Sequence, residues 1–229
     1  MEAAELILSH ADPNKDLVDS VEGDTVLSRL HVLLENRKKS QGLASSTLVP
    51  LVSLLAPKFD VNHINSQERT LLTYSVSLGD SALELTRCLL NHGAQVLPAR
   101  SDILRDRSAF TWLLRSLMRA PNASLDSHRE TLLLLCQNMC EMEAGGPENM
   151  RSHVLSTMVH LGHSASIMGP FFLQVRDICA PFWKQPLSLT HLCRSSIRHS
   201  LGPKNVAQGV TLLKLPPSLT QYLHYFHFQ

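Results

Sequence analysis

The chain has 229 residues, 44% of them apolar and 18% charged, with 21 basic against 20 acidic side chains. That apolar supply supports one or two domains, or one elongated array, and excludes a fully disordered chain; the near-neutral balance leaves no whole-chain electrostatic footprint for nucleic acid or an anionic membrane. No stretch approaches the ~18 uninterrupted apolar residues of a membrane span, and the opening MEAAELILSH lacks the basic region and apolar stretch of a signal peptide.

In chain order, the first unit to stand out is 65–96, NSQERTLLTYSVSLGDSALELTRCLLNHGAQV. A polar turn leads to Thr70, Leu71, Leu72 and Ser75, a short helix ending near Gly79. A second helix carries Leu83, Leu85, Cys88, Leu89 and Leu90 and closes on Gly93-Ala94, with Gly93 placed as the left-handed residue that stops it. Thr70 suits the capping position and Ser75 allows close helix approach. The segment resembles an ankyrin repeat through Thr70-Leu71-Leu72, Gly79, Leu89-Leu90 and Gly93-Ala94, although Leu71 replaces the family's usual proline and two extra residues lie between Gly79 and Leu89. Weaker likenesses precede it. Gly23-Asp24-Thr25-Val26-Leu27 resembles a repeat start, 51–62 resembles that repeat's end, and 37–47 reads as a Ser-rich insertion between its helices. Residues 6–14, LILSHADPN, resemble a last helix and turn, so the chain begins inside a repeat. Half a repeat cannot bury its own apolar face, which implies a fragment, a short isoform or an atypical cap.

Beyond Val96 the pattern decays. Residues 108–118 and 127–142 carry helical apolar spacing, 144–149 (AGGPEN) breaks the chain, and 151–162 and 170–180 read as two more helices. No strand alternation persists, so the fold class is all-α.

From Pro186 the sequence becomes more particular. Leu189, Cys193, Ile197 and Leu201 recur every fourth residue with Leu192 beside them, and Gly202-Pro203 ends that helix. A polar turn, an apolar stretch over 210–215, Pro216-Pro217 and a last element with Leu219, Tyr222 and Leu223 on one side follow. Ser188-Leu189-x-x-x-Cys193-x-x-x-Ile197 resembles an Elongin-binding box, and Leu215-Pro216-Pro217-Ser218-Leu219-Thr220-Gln221-Tyr222-Leu223 resembles the second half of a SOCS box. With the upstream repeats, the chain resembles the ankyrin-repeat and SOCS-box (ASB) family.

The resemblance implies an all-α ankyrin-repeat solenoid, partly degenerate, followed by a helical SOCS box. Residues 1–97 would be ankyrin repeats with the first incomplete, 98–182 degenerate ankyrin-like helices and 183–229 the box. It implies a substrate-recognition adaptor of an Elongin B/C–cullin-5 RING ubiquitin ligase, with the repeats holding an unidentified protein target. Elongin C would bind Leu189, Leu192, Cys193 and Ile197, with cysteine acting as a compact hydrophobe. The cullin would bind Leu213, Leu215, Pro216, Leu219, Tyr222 and Leu223. The family's cullin motif is usually Leu-Pro-aliphatic-Pro, whereas here Lys214 stands in the first proline's place. The expected partners are Elongin C, Elongin B and cullin-5 with its RING subunit, without nucleic acid or membrane, in the cytoplasm or nucleus. The alternative is an ankyrin-type scaffold whose tail only caps the array.

No catalytic residue, cofactor or metal ligand is expected. Phosphate-loop, serine-hydrolase and zincin motifs are missing. Cys193 beside His191 or His199 lies on the apolar stripe rather than in an electropositive setting. His153, His160 and His163 cluster only loosely. Lys38-Lys39 and Arg105/Arg107 read as solvated surface, and the five cysteines as free thiols of a reducing compartment.

Overall fold

In a computed structural model the protein is described over residues 45–56, 60–64, 69–97, 108–119, 125–142, 146–162, 169–202 and 205–225. The repeat-like stretches at 6–14 and 23–27, the insertion up to residue 44, Lys38-Lys39, Arg105/Arg107 and His163 lie outside those residues. All regular structure within them is helical.

Thr70 sets up the first helix pair. Its backbone is extended and its Oγ1 accepts from the Thr73 N–H at 3.3 Å, capping α2 (Leu71–Val76). All six residues of α2 are buried. A 3-10 turn (Gly79–Ala82) leads into α3 (Leu83–Asn91). The two helices meet where Thr86 Oγ1 donates to the fully buried Ser75 Oγ at 3.1 Å; a larger side chain at 75 would hold them apart. Gly93, at φ +86°, ends α3 in a Schellman arrangement. Its N–H reaches the Leu90 carbonyl and the Ala94 N–H reaches that of Leu89.

The same design recurs one step along the chain. α4 (Ala109–Arg119), a 3-10 turn (Leu125–His128) and α5 (Arg129–Met142) form the next pair, with α4 against α2 and α5 against α3. On the other side α1 (Ser45–Leu55) lies on α3. Polar ties join successive units. Asn62 Nδ2 donates to the Gly93 carbonyl at 3.0 Å while its Oδ1 accepts from the Gln95 N–H at 2.8 Å. Asp80 Oδ1 accepts from both the N–H and the hydroxyl of Thr131 at 2.8 Å, capping α5 from the preceding pair. α6 (Gly146–Gly162), α7 (Gly169–Cys179) and the short α8 (Pro181–Lys184) pack together and against α5. One continuous core runs from Leu48 in α1 to Cys179 in α7 and takes in Tyr225 from the end of the described chain.

Two boundaries differ from the sequence expectation. The break at 144–149 is shorter than expected, because α6 already starts at Gly146. Pro147 sits in its first turn, where a missing N–H costs no intrahelical bond. The apolar stretch expected at 210–215 is a helix four residues earlier, α10 (Val206–Leu212), with Val206 and Val210 one turn apart and buried. His153 faces the core, its Nε2 2.9 Å from Ser108 Oγ, while His160 is exposed, so these two do not converge.

Candidate functional site

The region after Gln185 consists of α9 (Leu189–Leu201), α10 and α11 (Pro217–Leu223). Ser188 caps α9 through its Oγ, which accepts from the His191 N–H, and Gly202 at φ +77° ends it. α9 then divides its residues between three surroundings.

The first is solvent. Leu189 is 76% exposed and Leu192 50%, and Cys193 is also exposed. Leucines so displayed form an apolar surface that a monomer gains nothing by presenting to water. The second is a small core separate from that of the body. Val206, Val210 and Leu223 form it, and Ile197, Leu201 and Leu215 pack against it. The every-fourth row splits because a step of four residues turns about 40° past a full helical turn. By Ile197 and Leu201 the row has rotated away from the Leu189 surface. Among the residues expected to meet the cullin, Leu213, Pro216 and Leu219 are exposed, Leu215 and Tyr222 half-buried, and Leu223 only 3% exposed. Leu212, which the sequence reading did not single out, is 79% exposed.

The third surrounding is the body itself. Arg194 and Arg198, one turn apart on α9, are 1% and 0% exposed. Arg194 grips Glu141 at the end of α5, with Nε and Nη2 donating to Oε1 at 2.9 and 2.5 Å, and Ser195 Oγ donates to the Glu141 carbonyl at 2.9 Å. Arg198 Nη1 donates to Asn91 Oδ1 at 2.9 Å and to the Leu223 carbonyl at 2.6 Å. The latter acceptors stand at the C-terminal ends of α3 and α11, where helix dipoles favour a cation. One carboxylate and two helix ends thus face two guanidinium groups. Tyr225 lies beneath Arg198, 3.9 Å from ring centroid to guanidinium, and its hydroxyl accepts from Asn138 Nδ2 at 3.2 Å. Its left-handed backbone, φ +61°, turns the ring inward from the end of α11. Tyr222 stacks on Arg194 at 4.3 Å. Burial raises the Glu141 carboxyl above its ordinary value, against the downward pull of Arg194 and Arg198.

Lys214 follows α10 at φ +50°, a left-handed conformation. Proline, locked near −65°, cannot take it, so the turn here has a different backbone from a Leu-Pro-aliphatic-Pro motif. Lys214→Pro is expected to lower the urea midpoint of the protein. Lys214→Gly, which removes a left-handed cost of roughly 1 kcal/mol, is expected to raise it; a Lys214→Pro protein as stable as the parent would contradict this turn.

All five cysteines are free thiols. Burial pushes the Cys140 thiol up to about 12 and raises those of Cys136 and Cys88. Buried thiols with raised pKa values suit packing rather than nucleophilic work. Among the described residues no three histidine, cysteine or acidic side chains converge on a metal position, and no helix is long and apolar enough to cross a membrane.

Residues 185–224 match the family model of the SOCS box. This domain binds Elongin B/C and a cullin in ubiquitin-ligase adaptors. No curated protein and no solved structure matches the chain.

Proposed function

We propose that the chain is a substrate-recognition adaptor of an Elongin B/C–cullin-5 RING ubiquitin ligase, of the ankyrin-repeat and SOCS-box type. The SOCS box holds Elongin C through Leu189, Leu192 and Cys193, with Ile197 supporting that surface from the small core. Leu213, Leu215, Pro216 and Leu219 offer the cullin surface, with Tyr222 and Leu223 fixing α11 beneath it. The helical body acts as a degenerate ankyrin array that holds a protein target. Transfer chemistry belongs to other subunits and this chain supplies proximity. Support for the ankyrin reading comes from the recurring short-helix, turn, longer-helix unit, the Schellman stop at Gly93 and the Asn62 tie between turns.

The observation that carries the proposal is the exposure of Leu189, Leu192 and Cys193 on a helix whose other side is fastened to the protein's own body. A helix meant only to close the array would have no use for that outer apolar surface. Burying one such leucine is worth about 1.5–3 kcal/mol, so a few anchors can dominate the contact. The test is co-expression with Elongin B/C. Capture of the pair is expected for the parent and is expected to fall by roughly 100-fold in Leu189→Asp and Cys193→Lys, since each 1.4 kcal/mol is a factor of ten. Both variants should keep the parent's melting temperature, because neither side chain is buried.

A second reading, an ankyrin-type scaffold capped by its tail, is favoured by the buried Arg194 and Arg198 contacts. On that reading Leu189→Asp changes nothing that can be captured, and the parent binds no Elongin B/C.

A further inference from the structure

The first turn of α9 is tied to the body by a chain of hydrogen bonds that works with only one protonation state of His191. Gln137 Nε2 lies 3.1 Å from Glu141 Oε1 and 3.2 Å from His191 Nε2. An amide nitrogen only donates, so His191 Nε2 must accept and carries no proton. The ring proton is then on Nδ1, which donates to Ser188 Oγ at 2.9 Å. That oxygen also takes the His191 backbone N–H as the cap of α9. Turning the Gln137 amide over does not accommodate a charged ring. Its carbonyl oxygen would then face the Glu141 carboxylate, which is fixed by Arg194. A protonated His191 therefore sets N–H against N–H, or oxygen against oxygen.

We propose that His191 is a proton-sensitive positioning residue. Uncharged, it ties the turn bearing Leu189 and Leu192 to α5 through Gln137 and Glu141; charged, it frees that turn, so that capture of Elongin B/C weakens on mild acidification. This rests on the Elongin reading of the same helix and adds a control to it.

The groups facing the ring are Gln137 and, behind it, Glu141 from α5, with Arg194 and Ser188 on its own side and the Tyr222 ring of α11 across Arg194. Burial and then the Arg194 charge hold His191 below the ordinary histidine value of 6.5. A base with a lowered folded value contributes its stabilisation above the unfolded value and loses it as pH falls through the folded one. The tie is accordingly complete at pH 7.5 and lost on the acid side of 6.5. Glu141, raised by burial, gains protons more readily folded than unfolded and acts in the opposite direction, equally in the parent and in the His191 variants. At the other end of the joint His92 and His224 are also lowered, mainly by burial, and share the histidine sign.

The test compares the parent chain with His191→Gln, which stays neutral and can still accept from Gln137, and with His191→Asn as a second neutral variant. Elongin B/C capture and the urea midpoint of the chain alone are both followed from pH 7.5 to 5.5. The expected result is a loss of parental capture on acidification that exceeds, outside experimental error, the loss in either variant. A parental urea midpoint that drops more steeply than the variants' is expected alongside. Titration within Elongin B/C itself cancels in the comparison. Superimposable pH profiles for parent and variants would overturn the proposal. Absence of capture at every pH would sink the ligase reading instead, and the urea profiles would still decide the role of His191.

Discussion

Glu141→Ala is expected to destabilise the protein by about 3–5 kcal/mol, the range for removing one partner of a buried ion pair. Arg194 would be left charged, fully buried and without the carboxylate its Nε and Nη2 now share. Gln137 Nε2 would lose an acceptor as well. A drop of roughly 10 °C in melting temperature corresponds to that loss in a chain of this size. The physical cause is separable from lost packing. Glu141→Leu combined with Arg194→Met removes both charges and keeps apolar volume, and such double replacements of buried pairs cost far less than breaking them. If the double variant is as unstable as Glu141→Ala, the ion pair is not what joins α9 to α5.

The second large effect is expected at Arg198. Arg198→Met keeps an unbranched apolar stem but leaves the Leu223 carbonyl and Asn91 Oδ1 without their charged donor and the Tyr225 ring without its guanidinium. Each buried acceptor stranded in this way costs about 1–3 kcal/mol, so a total near 3 kcal/mol or more is expected. Hydrogen exchange should show where it falls. Protection should be lost at the end of α11 and along α9, with α2 and α4 retaining theirs. Arg198→Lys should recover only part, because an ammonium can replace Nη1 toward Asn91 Oδ1 and the Leu223 carbonyl but cannot also lie flat on Tyr225. Uniform loss of protection through the body would contradict a local joint.

Several features of the fold were legible because they depend on short-range chemistry. Thr70 as a cap, Gly93 and Gly202 as stops and Ser75 at a close helix contact each follow from the residue's own conformational or steric properties. The exposed apolar side of α9 was legible too, because Leu189, Leu192 and Cys193 lie on one stripe. What stayed hidden depends on partners distant in sequence. Glu141 and Arg194 are 53 residues apart, and Asn91 and Arg198 are 107 apart. A signal did exist. α9 reads LTHLCRSSIRHSL, with two arginines one turn apart and no acidic residue to pair them. Arginines on a solvated helix commonly have local carboxylates, so their lack points to a counter-charge elsewhere. The shift of α10 to Val206–Leu212 escaped notice for a different reason. A single buried turn with two valines gives too short a pattern to fix its own register.

The crossing of α9 over the ends of α3 and α5 has a mechanical consequence. With Arg194 and Arg198 clamped on both sides, no tether separates the outer leucines from the helical body behind them. At neutral pH a load placed on this helix therefore passes straight into α3 and α5 instead of swinging on a leash.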